Sequence, residues 1–169
     1  MKTNGVKKVL IALDYNPTAQ KVAEMGFSLA QAMNAEVTLL HVISELVYYS
    51  STEYDPIMGF TGFREAGPIE VDYLGKLKIA SLNYLDKSKQ HLGDSTIHTL
   101  VEEGDIAESI LKTAKAIHAD FIVLGSHSHK WLKDILMGSV TESVLQLTSL
   151  PLFIIPTKKK DTSEPAEYL

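Results

Sequence analysis

No cysteine occurs anywhere in the 169 residues of this chain. A disulfide framework, a thiolate metal site and a cysteine nucleophile are therefore excluded, and the absence fits a reducing compartment. A basic excess is missing too: Asp and Glu outnumber Lys and Arg by 21 to 16, for a net charge of −5. Proteins that bind DNA or anionic lipid ordinarily present a basic face, so neither nucleic acid nor membrane is an expected partner. No apolar run is long enough to span a bilayer. The opening Met1-Lys2-Thr3-Asn4-Gly5 lacks the apolar segment of a secretory signal. A cytoplasmic location is the expectation. The P-loop pattern GxxxxGK[ST] is absent. Where a dinucleotide fold would show GxGxxG, the chain reads Asp14-Tyr15-Asn16-Pro17-Thr18. Asp14 has no acidic neighbour, which argues against a phosphoacceptor cluster.

What is present is a chain 45% hydrophobic and 22% charged, the balance of one globular domain with a full core. Val6 to Leu13 is a short run rich in Val, Ile and Leu, apolar without alternation from Val9 on, the pattern of a strand buried on both faces of a parallel sheet. Asn16-Pro17 reads as a helix N-cap followed by proline at the first helical position. Ala19, Val22, Ala23, Gly26, Leu29, Ala30 and Met33 then repeat at helical spacing, and Val37 to Ile43 is a second buried strand. The opening is thus β-α-β, a crossover that pairs its strands in parallel. Ser44 to Pro68 carries Tyr48, Tyr49, Tyr54, Phe60 and Phe63 among Gly, Ser and Pro. It is long for a connection and reads as a flap. A helix ending at His91-Leu92 with Gly93 as its C-cap follows, then a strand from Ile97 to Val101. Asp105 and Glu108 form a capping box for the next helix, and Phe121 to Leu124 is a fourth strand. Ser139 to Thr148 reads as a helix opened by the capping box Ser139-Val140-Thr141-Glu142, and Leu152 to Ile155 as a last strand between prolines. The reading is a single doubly wound α/β domain over residues 1–157, with a disordered polar tail over 158–169.

Ligands of open parallel sheets sit beyond the carboxyl ends of the strands, where strand order reverses. The segments that matter are then Asp14 to Asn16, Val42 to Ser44, Glu102 to Asp105, and the chain from Gly125 onward. Gly125-Ser126-His127-Ser128 leaves a buried strand and Gly138-Ser139 opens a helix, the layout of a phosphate cradle. Glycine lets the backbone approach an anion, and the N–H groups of a helix start point at it. Lys130 and Lys133 add positive potential, and the Asp14 carboxylate can accept hydrogen bonds from ribose hydroxyls.

With Gly125, Ser128 and then nine residues to Gly138-Ser139, the loop resembles the nucleotide-binding signature of the universal stress protein family. That signature is Gly, two residues, Gly, nine residues, Gly, then Ser or Thr. The resemblance continues through Val9 to Asp14, Leu39 to Val42, Glu103 to Asp105, Ala119 to Ser126, Gly138 to Leu145 and Pro151 to Pro156. It implies a five-stranded parallel sheet of order 3-2-1-4-5 with helices on both faces. It also implies a homodimer through the last strand, Leu152 to Ile155, and a regulatory role in the stress response. The ligand implied is ATP, ADP or AMP, with Mg as a possible companion. By that resemblance Asp14 would contact ribose or adenine, Val42 would meet the adenine through its backbone, and Gly125, Gly138, Ser139 and Val140 would hold the phosphates. Ala12, Leu13 and Ser128 complete the expected nucleotide-binding set. Ser128 replaces the family's second glycine; the alternative it leaves open is a dimeric interaction module that binds no nucleotide.

Simpler readings stand beside several of these residues. Ser139 is a good helix-cap residue with or without a ligand. Gly104 fits a backbone requirement before a helix, and His41, inside a strand, fits a structural role. His127 and His129, two apart with no carboxylate pair, are a weak metal signal, so no metal site is expected. Trp131 reads as packing over the loop or against a partner rather than stacking on adenine. No general base or arginine finger is aimed at the cradle, so at most slow ATP hydrolysis is expected and no enzyme activity is assigned.

Overall fold

Residues 7–44, 70–126 and 138–157 are described in the structure, a computed structural model. The flap, the tail and the loop interior carrying His127, Ser128, His129, Lys130, Trp131 and Lys133 lie outside the described residues.

Among the described residues, five strands and four helices follow in the order β1 (Lys7–Ala12), α1 (Ala19–Ala32), β2 (Ala35–Ile43), α2 (Glu70–Leu92), β3 (His98–Glu103), α3 (Ile106–Ala116), β4 (Phe121–Ser126), α4 (Ser139–Leu147) and β5 (Leu152–Pro156). All four strand pairings are parallel, and the order across the sheet is β3-β2-β1-β4-β5. The continuous apolar runs are explained by two cores. Val9, Ile11 and Leu13 point to one face and pack with Ala23, Phe27 and Ala30 of α1 and Leu85 of α2. Leu10, Leu40 and Ile122 point to the other and meet Ile110 and Ala114 of α3 and Val144 of α4. Val9, Leu10, Ile11, Leu39 and Leu40 are fully buried. Each such side chain contributes about 1.5–3 kcal/mol of burial, so the sheet centre anchors the domain.

Local signals set most element ends. Gly93 takes φ +72 after α2, and its N–H bonds back to the carbonyls of Lys89 and Gln90, as a glycine C-cap should. Asp105 caps α3, its Oδ1 accepting from the Glu108 amide at 2.9 Å. Two expected caps are corrected. Asn16 does not open α1: its Oδ1 accepts from the Thr18 amide at 3.1 Å and the Thr18 hydroxyl at 2.9 Å. Asn16 thereby builds a turn, and the helix starts at Ala19, with Pro17 in the turn rather than in the helix. Ser139 is likewise not an N-cap. Gly138 holds that position at φ −71, ψ 158, so Ser139 is already the first helical residue.

This order places the switch point between β1 and β4. The chain winds outward from β1 through β2 to β3, then returns to β4 and β5 on the other side. Connections leave the carboxyl ends of β1 and β4 toward opposite faces and open a crevice between them.

Candidate functional site

A cleft of ≈ 250 Å³ occupies that crevice. Its walls come from the ends of three strands and the starts of three helices. Ala12, Leu13 and Asp14 leave β1, Val42 nears the end of β2, and Leu124 and Gly125 close β4. Ile106 and Ile110 of α3 supply an apolar wall, and Gly138, Ser139, Val140 and Thr141 face it from the start of α4. Eight of the nine residues singled out in the sequence thus share one cleft: Ala12, Leu13, Asp14, Val42, Gly125, Gly138, Ser139 and Val140. The ninth, Ser128, lies outside the described residues.

The start of α4 is chemically distinctive. Its first backbone bond runs from the Glu142 amide to the Gly138 carbonyl at 2.9 Å. The amides of Ser139, Val140 and Thr141 precede that ladder, and Gly138 has no side chain to cap them. Such amides, reinforced by the helix dipole, form the kind of surface that receives an anion. Thr141 is buried, and its hydroxyl donates to the Gly125 carbonyl at 3.2 Å. One hydrogen bond therefore joins the end of β4 to the start of α4. Beside it, the hydroxyl of buried Thr157 donates to the Ser126 carbonyl. Both carbonyls that precede the loop are held by hydroxyls.

Across the cleft, the β1–α1 turn is held rigidly. The Leu13 amide donates to the Leu40 carbonyl at 2.8 Å, extending the sheet past the end of β1. Asp14 is exposed, and its Oδ1 accepts from the Asn16 amide at 3.1 Å. Below it, His41 is buried with Nδ1 2.8 Å from the Leu13 carbonyl oxygen. Because a carbonyl only accepts, Nδ1 carries the hydrogen. Burial holds the His41 pKa below the ordinary histidine value, opposed by the Leu13 carbonyl and the Asp14 charge. The imidazole is neutral at pH 7, and the structural reading of His41 holds. Gly104 adopts φ +127 after β3, a backbone requirement as expected, and its amide donates to the Ile43 carbonyl at 3.0 Å. Tyr15 and Tyr84, which the sequence reading had not singled out, flank His41 with ring centroids 4.2 Å and 6.0 Å away. Residues 15, 41 and 84 carry no shared spacing signal; only the fold brings them together. Among the described residues no cluster of three His, Asp or Glu side chains is arranged to hold a metal ion. No helix among them is long and apolar enough to cross a membrane.

An all-parallel five-stranded sheet with its cleft at the β1/β4 switch point defines a doubly wound α/β protein. Comparison narrows the class: the universal stress protein family model matches residues 5–156, and the chain belongs to that family. It is 29% identical over 155 residues to the universal stress protein MJ0577 of Methanocaldococcus jannaschii, covering 90% of this chain and 96% of that one. The solved structure of MJ0577 superposes with a TM-score of 0.65, covering 90% of this chain and 97% of that one. Two further solved structures share the fold at low identity. A universal stress protein in complex with cAMP matches with a TM-score of 0.60 at 15% identity, over 92% of this chain and all 100% of that one. One from Archaeoglobus fulgidus in complex with dAMP matches with a TM-score of 0.52 at 14% identity, over 88% and 97%.

Proposed function

We propose that this chain is a regulatory protein of the stress response that binds an adenine nucleotide (ATP, ADP or AMP) in the β1/β4 cleft. The observation that carries the reading is the pairing of two chemistries across one cleft. The uncapped first turn of α4 offers amides to phosphate, and the Asp14 carboxylate on the opposite wall offers acceptors to ribose hydroxyls. Ile106, Ile110 and Val42 supply apolar surface of the kind a purine face needs. Family members of this fold crystallised with cAMP and with dAMP support the choice of adenine. Ser128 would join Gly125, Gly138, Ser139 and Val140 around the phosphates. Mg would be held by the nucleotide's own phosphates.

The working unit is a cytoplasmic homodimer formed through β5. That strand is the sheet edge, half-exposed at Phe153, and the adjacent α4 exposes Leu145 and Leu147. An unpaired edge with apolar neighbours is a surface that a second copy can cover. In this reading the protein signals by occupancy, with at most slow ATP hydrolysis.

Ser128 in the place of a glycine favours one competing reading, a dimeric interaction module with no nucleotide. The two readings separate on purified protein that is denatured, with the released small molecules resolved by ion exchange, and melted with and without ATP, ADP and Mg²⁺. Bound adenine nucleotide, or a melting shift at millimolar ligand, is the expected result. Neither would leave only the module. Ser128→Gly should then strengthen binding if serine strains the loop.

A further inference from the structure

The β1–α1 turn is held from below by three side chains drawn from two distant elements, β2 and α2. Tyr84, on α2, donates its hydroxyl to the Asp14 carbonyl oxygen at 2.7 Å. His41, on β2, donates Nδ1–H to the neighbouring Leu13 carbonyl at 2.8 Å. The hydroxyls of Tyr15 and Ser81 lie 2.5 Å apart. Ser81 spends its own hydrogen on the Leu77 carbonyl at 2.8 Å, so Tyr15 is the donor in that pair. The three rings brace one another, Tyr15 lying 4.2 Å from His41 and 5.0 Å from Tyr84 between centroids. Two of the tethers, Ser81 and Tyr84, stand one helical turn apart on α2.

Any core tyrosine finds some acceptor, but this acceptor is the backbone of the residue whose carboxylate lines the cleft. With the Leu13 amide on β2, the Leu13 carbonyl on His41 and the Asp14 carbonyl on Tyr84, the peptide planes that aim Asp14 are fixed on both sides. Burial, followed by the nearby Asp14 charge and Tyr15, raises the Tyr84 phenol far above its ordinary pKa. It therefore stays a donor throughout the working pH range. A carboxylate accepting from sugar hydroxyls depends on such fixed aim, because small misplacements at a site cost much of the interaction.

We propose that Tyr84, braced by Tyr15 and His41, is a positioning residue that sets the cleft's preference for a sugar bearing ribose hydroxyls, an inference that rests on the nucleotide reading above. Tyr84→Phe removes the hydroxyl and keeps the ring. The test is calorimetric titration of the full chain with ATP and with 2′,3′-dideoxy-ATP, in wild type, Tyr84→Phe, Asp14→Asn and the double variant. Wild type should favour ATP about tenfold or more, the value of one or two hydrogen bonds to a charged group. Tyr84→Phe should reduce that ratio to about threefold or less, with dideoxy-ATP affinity within about twofold of wild type. On the Asp14→Asn background it should change the ratio no further. If Tyr84→Phe fails to fold, Ser81→Ala, which releases only Tyr15, must lower the ratio in the same direction.

A wild-type ratio near one would overturn the inference. So would a Tyr84→Phe effect that is equal on both ligands or absent from both, while leaving nucleotide binding itself intact. Wild type that binds neither ligand would remove the nucleotide reading, and this inference with it.

Discussion

Replacing Gly138 by aspartate should raise the stability of the protein and weaken the proposed nucleotide binding in the same stroke. Gly138 sits at φ −71, ψ 158, a conformation open to any residue, so aspartate brings no backbone strain. Its carboxylate would cap α4 as Asp105 caps α3, where Oδ1 accepts from the Glu108 amide at 2.9 Å. An aspartate N-cap gains a few tenths of a kcal/mol over glycine, and a negative charge at a helix start adds about 0.3–1 kcal/mol. The sum, roughly 1 kcal/mol, lifts the melting point of a domain this size by about 2–4 °C. For a nucleotide the sign reverses. The new carboxylate occupies the amides that phosphate needs, and two charges about 4 Å apart repel by about 4 kcal/mol at an effective dielectric of 20. Discounted by half for solvent access at this open cleft, that leaves about 2 kcal/mol, or roughly a 30-fold loss of affinity. Differential scanning fluorimetry of the ligand-free protein and calorimetric titration with ATP measure the two effects separately. A variant that melts higher and still binds ATP at wild-type strength would refute the cradle. One that melts lower would refute the capping argument.

Other consequences are equally direct. Gly104→Ala should cost about 1–3 kcal/mol in urea unfolding, because φ +127 is strained for any residue with a Cβ; an unchanged midpoint would show that the turn relaxes freely. If the proposed dimer forms through β5, Phe153→Asp should give a monomer in light scattering with the fold retained, since it sets a charge on that exposed edge; a dimeric mass in the variant, or a monomeric one in wild type, would contradict a β5 dimer. The pH dependence follows from His41, whose pKa burial holds below the ordinary histidine value of about 6.5 in the folded protein. As pH falls below about 6.5 the unfolded chain takes up the proton first, so stability declines by at most about 1.4 kcal/mol per pH unit until the folded pKa is reached. Between pH 7.5 and 5.5, wild type should lose more stability than His41→Gln; parallel curves would remove His41 as the cause.

The sheet was legible in the sequence because Val9–Leu13 and most of Val37–Ile43 are apolar on both faces, the pattern of a doubly covered parallel sheet. Strand order was different: periodicity left it open, and the value 3-2-1-4-5 came from the family resemblance before the pairings bore it out. Caps were read where one side chain had one local use, as at Asp105 and Gly93. They were misread where two local uses competed. Asn16 spends its oxygen on a turn two residues on, and Gly138 takes the N-cap position of α4, leaving the serine that resembles a cap as the first helical residue. The cleft residues were visible because each follows a strand or opens a helix. The Tyr15–His41–Tyr84 group was not, because those contacts span tens of residues and leave no periodic trace.

The central claim, an adenine nucleotide seated between Asp14 and the start of α4, is tested most directly by amide NMR of the labelled chain titrated with ATP. The account predicts saturable shifts concentrated at Leu13, Asp14, Val42, Gly125, Ser139 and Val140, all of which border one cleft. Spectra that stay unchanged at millimolar ATP, or that move only along β5, would contradict it.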